Sequence, residues 1–195
     1  MKMVKSAPSK AATPRQKQAK VLRTFRKLHR VTASLTFFVF LIVAITGILL
    51  AWKKHSGSAI LPITHKGTTS DLAIWLPLDS LNQLAINILQ KEKPELSTKV
   101  DRIDVRPDKG VVKFTFKEHY WEVQLDAATG EVFHVEKRWS DLVEQMHDGS
   151  IVDRLFSWRG DWFKLGYANV AGWSLLLFTI TGFWLWYGPK IMRKT

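Results

Sequence analysis

The sequence contains no cysteine. That excludes a disulfide framework, thiolate metal sites and a cysteine nucleophile, and it is compatible with an oxidising compartment. Acidic residues are missing from residues 1–30, which hold ten Lys or Arg, and from the stretch after Tyr187, which adds Lys190, Arg193 and Lys194. Charge of either sign is missing from two apolar runs, 31–52 and 168–187, which argues against a proton or ion pathway built by this chain alone. The first 20 residues lack an apolar core, so no cleavable signal peptide is expected there, and 31–52 is expected to act as a retained signal anchor. No His-Glu-x-x-His, Gly-x-Ser-x-Gly or phosphate-loop pattern occurs. The carboxylates Asp148, Asp153 and Asp161, beside Arg154 and Arg159, have no nucleophile or metal ligand set near them and read as a solvated, salt-bridged face. The chain does not read as a self-sufficient enzyme.

What is present is a pair of membrane spans. About 20 apolar residues at 1.5 Å each cross the ~30 Å hydrocarbon core, and both runs reach that length. The net charge of +12 would suggest nucleic acid if averaged over the chain, but all 17 acidic residues lie between the spans, against 16 basic ones. The basic residues at the outer ends are therefore topological signals and contacts for anionic lipid, and no nucleic-acid partner is expected. By the positive-inside rule both termini are expected in the cytoplasm, with residues 53–167 outside it, in a bacterial inner membrane. Trp52, Trp158, Trp162, Phe163, Tyr167, Trp184, Trp186 and Tyr187 fit interfacial aromatic belts.

The expected organisation is a disordered basic tail over 1–20, a juxtamembrane helix and first span over 21–54, an outer domain over 55–140, an amphipathic approach over 141–167, a second span over 168–188 and a tail over 189–195. Helicity is expected from about Gln16. In the outer domain Leu78, Leu81, Leu84, Ala85, Ile88 and Leu89 repeat at helical spacing, and Pro94 ends that helix. Strands are predicted over 100–105, 111–117, 120–125 and 131–135, with turns at 107–110 and 126–130. In the third, Trp121, Val123 and Leu125 alternate against Glu122 and Gln124. One helix packed on a small antiparallel sheet is the economical solution. The fold class is thus an α+β membrane protein, two antiparallel transmembrane helices flanking an extracytoplasmic domain.

Residues 120–132, with a strand, an Asp, a turn, Thr129-Gly130 and a second strand, resemble the PepSY domain. Leu28-His29-Arg30 through Ile45-Thr46-Gly47 is similar to the PepSY-associated transmembrane helix, and Met146-His147-Asp148-Gly149 resembles that family's Leu-His-x-Gly element. The resemblance covers about residues 20–190. Larger members carry four or more spans, and some resemble iron-regulated membrane proteins and ferric-siderophore reductases that hold haem b. This chain reads as a minimal member with two spans.

Histidine is the residue type with redox relevance. His29 lies at the start of the first span, His55 just beyond its end and His147 on the approach to the second. Each has a plain reading: His29 as a basic interfacial residue, His147 as a turn or cap residue, His55 as interfacial polarity. The alternative is axial ligation of haem b. His29 and His147 are expected on opposite membrane faces and cannot share one iron. An outer haem could use His55 with His147, whereas an inner one would need a second His29 from another protomer. His65, His119 and His134 are expected at the surface of the outer domain. The repeated Ile-Thr-Gly, at 45–47 and 180–182, reads as close helix packing. The resemblance implies a haem-associated electron-transfer or accessory component of extracytoplasmic iron or flavoprotein reduction, in a homodimer or larger membrane redox complex. The competing reading is a non-catalytic module that restrains a peptidase or supports such a complex.

Overall fold

The structure, a computed structural model, describes residues 13–193, and two long helices dominate it. Helix α1 (Pro14–Trp52) begins at a reciprocal cap: the Thr13 hydroxyl accepts from the Gln16 N–H at 3.3 Å and the Gln16 side chain accepts from the Thr13 N–H at 3.0 Å. Pro14 stands in the first turn, where no N–H is needed. Helicity, expected from about Gln16, begins two residues earlier at Pro14; residues 1–12, the rest of the expected disordered tail but for Thr13, lie outside the described part. With 39 residues α1 is about 58 Å long, well beyond a ~30 Å hydrocarbon core. Helix α5 (Trp162–Met192) is also long and apolar enough to cross a membrane, and it continues past Tyr187 through Pro189. Leu35, Phe38, Trp173 and Phe183 stand exposed on these helices, as lipid-facing side chains do.

The two helices pack directly, and their register shows them antiparallel. Gly188 faces Leu22, Trp184 lies 6.1 Å from Phe25 between ring centres, and Thr181 meets His29. A Cβ on Gly188 would come within 2.8 Å of Leu22, so this small residue sets how closely the helices approach.

Between them, β1 (Val100–Arg106), β2 (Val111–Phe116), β3 (Trp121–Asp126) and β4 (Val132–Lys137) form an antiparallel meander in sequence order. Helix α2 (Leu78–Glu92) lays Leu81, Ala85 and Leu89, four residues apart on one face, against Val112, Phe114, Phe116, Val123 and Leu125. The opposite face of the sheet, which the alternation marks as polar, is also buried: Glu122 and Gln124 have no exposed surface. Residues 60–69 cover it. The His65 N–H donates to Gln124, Thr68 donates to Asp126 through both backbone and hydroxyl, and the Lys113 ammonium donates to the Thr64 hydroxyl. Gly67 crosses so near Gly110 that a Cβ there would stand 2.1 Å from the Gly110 carbonyl oxygen.

Helix α3 (Trp139–Asp148) and the single-turn-and-a-half α4 (Ser150–Leu155) join the sheet to α5. Gly149 divides them at φ +81°, a left-handed conformation suited to glycine, and the Tyr167 ring rests on its open side. Asp153 departs from the expected solvated face. It is buried, and its carboxylate accepts the N–H groups of Phe163 and Lys164 at 2.9 and 2.8 Å, so it caps α5 from a neighbouring helix.

Candidate functional site

A threonine inside a helix tends to donate its hydroxyl proton to a carbonyl one turn back. Thr46 does so to Ile42 at 2.6 Å and Thr181 to Leu177 at 2.7 Å, and both are buried. A carbonyl accepts only, so the single hydroxyl proton lies on that bond. The other contact of each hydroxyl must then be an accepted one. Its donor is an imidazole in both places: His29 Nδ1 lies 2.7 Å from Thr181 Oγ1 and His147 Nδ1 lies 2.9 Å from Thr46 Oγ1. Both rings therefore carry a proton on Nδ1, and when neutral each leaves a lone pair on Nε2. Among the described residues neither Nε2 has a hydrogen-bond partner.

The glycine after each threonine completes the seat. A Cβ on Gly47 would stand 3.5 Å from His147 Cε1, and one on Gly182 3.9 Å from His29 Cε1. Phe178 meets the His29 ring edge-on at 4.9 Å. The pairs lie toward opposite ends of the charge-free stretch of α1, since His29 and Thr46 are seventeen positions apart, a rise of about 25 Å.

His147 sits near the end of α3, and the domain between the two long helices positions that helix. Arg138, ahead of it, pairs with both Glu122 and Asp141. The Tyr120 hydroxyl donates to Gln145 at 2.7 Å, Arg154 donates to the same oxygen at 3.1 Å, and the Arg154 guanidinium stacks 4.1 Å over the Tyr120 ring. Asp148, next to His147, accepts from the Ser150 N–H and pairs with Lys164 at 2.7 Å. Burial works to raise the Asp148 pKa, but the bonds from Lys164 and Ser150 prevail and hold it below its usual value.

The sheet's buried face contains a second polar group centred on Glu122, which takes His134 at 3.0 Å, Lys113 at 3.4 Å and Arg138. Burial opposes its ionisation, yet His134, Lys113 and Arg138 outweigh burial and bring the Glu122 pKa down to about 2. His134, expected at the surface, has a side chain only 8% exposed, because covering this face encloses it. His119 bonds the Ser97 carbonyl oxygen, and His65 is exposed and stacks on Phe133.

This chain belongs to the PepSY-associated TM region family. The match runs over residues 26–194, so in this PepSY-associated chain it takes in both helices, the sheet and both histidine–threonine pairs. No curated protein matches the chain. Of the three histidines singled out from sequence, His29 and His147 each meet a threonine. No hydrogen bond or ring contact joins His55 to His147; the His55 ring has Trp52 beside it at 6.3 Å. Thr46 and Thr181, read from sequence as packing residues, are the hydroxyls that orient the imidazoles. Their repeated Ile-Thr-Gly setting was the available signal.

Proposed function

We propose that this PepSY-type membrane protein is a haem-associated electron-transfer component serving reduction of iron or a flavoprotein outside the cytoplasm. In this reading His29 and His147 each offer Nε2 to a haem b iron, one at each membrane face. Both termini lie in the cytoplasm of an inner membrane, and residues 53–167 lie on the far side. The observation that carries it is the fixed orientation of two imidazoles whose Nδ1 protons are taken by buried threonines and whose Nε2 atoms are free. An imidazole that ligates a metal commonly donates its other N–H to a fixed acceptor, which sets its tautomer and raises its basicity, so the residues fit the group. Bound haem would supply one-electron chemistry. The chain's own task is to hold each ring against rotation by accepting its Nδ1 proton on a threonine hydroxyl. One imidazole stands at the His29 end, so any further protein ligand to haem held there would have to come from a further copy or a larger redox complex.

The test is the dithionite-reduced minus oxidised spectrum of the full chain, expressed with haem supplied and purified in detergent. A b-type α band is expected. His29→Ala and His147→Ala should each remove about half of it, and the double variant all of it. A featureless spectrum from folded protein, or a band indifferent to both substitutions, would overturn the reading.

A further inference from the structure

We propose that the outer domain holds a binding site for a phosphate group in a basic cavity between the end of α1 and the buried polar face of the sheet. The cavity, about 350 Å³, is lined by Lys54, Arg106, Lys109, Lys113 and Arg138, with Asp104 as its one acidic wall residue. The carboxylates nearby are accounted for. Asp104 pairs with Arg106 at 3.0 Å, Glu122 lies behind Lys113 and Arg138, and Asp141 pairs with Arg138. Lys54 and Lys109 have no ion pair among the described residues, so two positive charges on the cavity wall are unmatched.

Two of the lining residues keep unused donors among the described residues. Lys113 spends two of its three N–H groups, on Thr64 at 2.8 Å and Glu122 at 3.4 Å. Arg138 engages Glu122 through Nη1 and Asp141 through Nε, leaving Nη2 without a bond. One spare guanidinium nitrogen beside several ammonium groups suits an oxyanion with three or more equivalent oxygens better than a single carboxylate. Burial fixes the two inner cations: the Lys113 side chain is 4% exposed and that of Arg138 13%. Lys54 follows the last residue of α1 by two positions, so the cavity opens beside the point where that helix leaves its apolar run. Both a lipid headgroup phosphate and a free phosphate can reach it there. The cavity lining contains none of His29, Thr46, His147 and Thr181, although it shares Arg138 with the support of α3.

Two measurements on the full chain separate the sources: calorimetric titration with sodium phosphate at constant ionic strength in a neutral detergent, and native mass spectrometry after transfer from nanodiscs of phosphatidylcholine with phosphatidylglycerol. Saturable binding is expected in at least one. Binding of phosphate alone identifies a free anion, and retention of phosphatidylglycerol alone identifies a headgroup. The exposed-residue double variant Lys54→Glu/Lys109→Glu should weaken that binding at least ~10-fold, while Lys91→Glu/Lys99→Glu, of equal net charge, should leave it unchanged. Absence of binding in both arms by folded protein, or an equal loss in both double variants, would overturn the proposal.

Discussion

His29 and Thr181 meet where α1 and α5 pack directly, so the helix pair alone fixes them. His147 reaches Thr46 from α3, a helix whose position depends on Arg138, Tyr120 and Gly149, and therefore on the sheet. The same two-atom contact is built once from secondary structure within the membrane and once from a folded domain outside it. One pair inherits the stiffness of two long helices, whereas the other follows whatever the domain does. Chemical equivalence at the two ends does not imply equal stability.

Acid should separate the pairs most. The Glu122 pKa falls from 4.5 to about 2 on folding, so its contribution is full above the unfolded value near 4.5 and is lost as pH falls toward 2. That contribution is about 3 kcal/mol. Tryptophan fluorescence and imidazole NMR followed from pH 6 to 2 should show the sheet and the His147 pair lost together, with the His29 pair retained. Simultaneous loss of both pairs would break the comparison, and Glu122→Gln should flatten the acid response.

Gly149→Val comes next. A β-branched side chain at φ +81° meets the Tyr167 ring, where even a Cβ would stand 2.9 Å away, at a cost of about 2 kcal/mol or more. Imidazole modification by diethyl pyrocarbonate should become faster at His147 and stay unchanged at His29. Equal acceleration at both would show the helix pair to depend on the domain.

The smallest effect sharpens rather than breaks the contrast. Thr46→Val and Thr181→Val keep shape but leave an Nδ1 proton without its acceptor, at about 1–2 kcal/mol each. Thermal unfolding should move more for Thr181→Val, where the rigid pair has no alternative, than for Thr46→Val, where α3 can shift. The reverse order would assign the greater rigidity to the domain.

Periodicity made much of this fold readable. Leu81, Ala85 and Leu89 mark the buried stripe of α2, and the turns at 107–110 and 126–130 place the strands to within a residue or two of their observed ends. Charge-free runs mark both membrane helices. The face of the sheet carrying Glu122, Gln124 and Asp126 was not readable as buried, since alternation reports polarity and not what covers it. Asp153 looked like one member of an exposed charged face because its partners, the Phe163 and Lys164 N–H groups, are backbone. The histidine–threonine pairs join positions 101 and 152 residues apart, and no local pattern carries such a pairing.

The pairs are also crossed. The half of the chain before the sheet holds His29 and Thr46, and the half after it holds Thr181 and His147, yet each histidine bonds the threonine of the other half. A nascent chain with only its first helix inserted owns one imidazole and one hydroxyl that cannot meet, about 25 Å apart on one rod. Arrival of the second half closes both contacts, so the two pairs form only once residues from both sides of the sheet are in place.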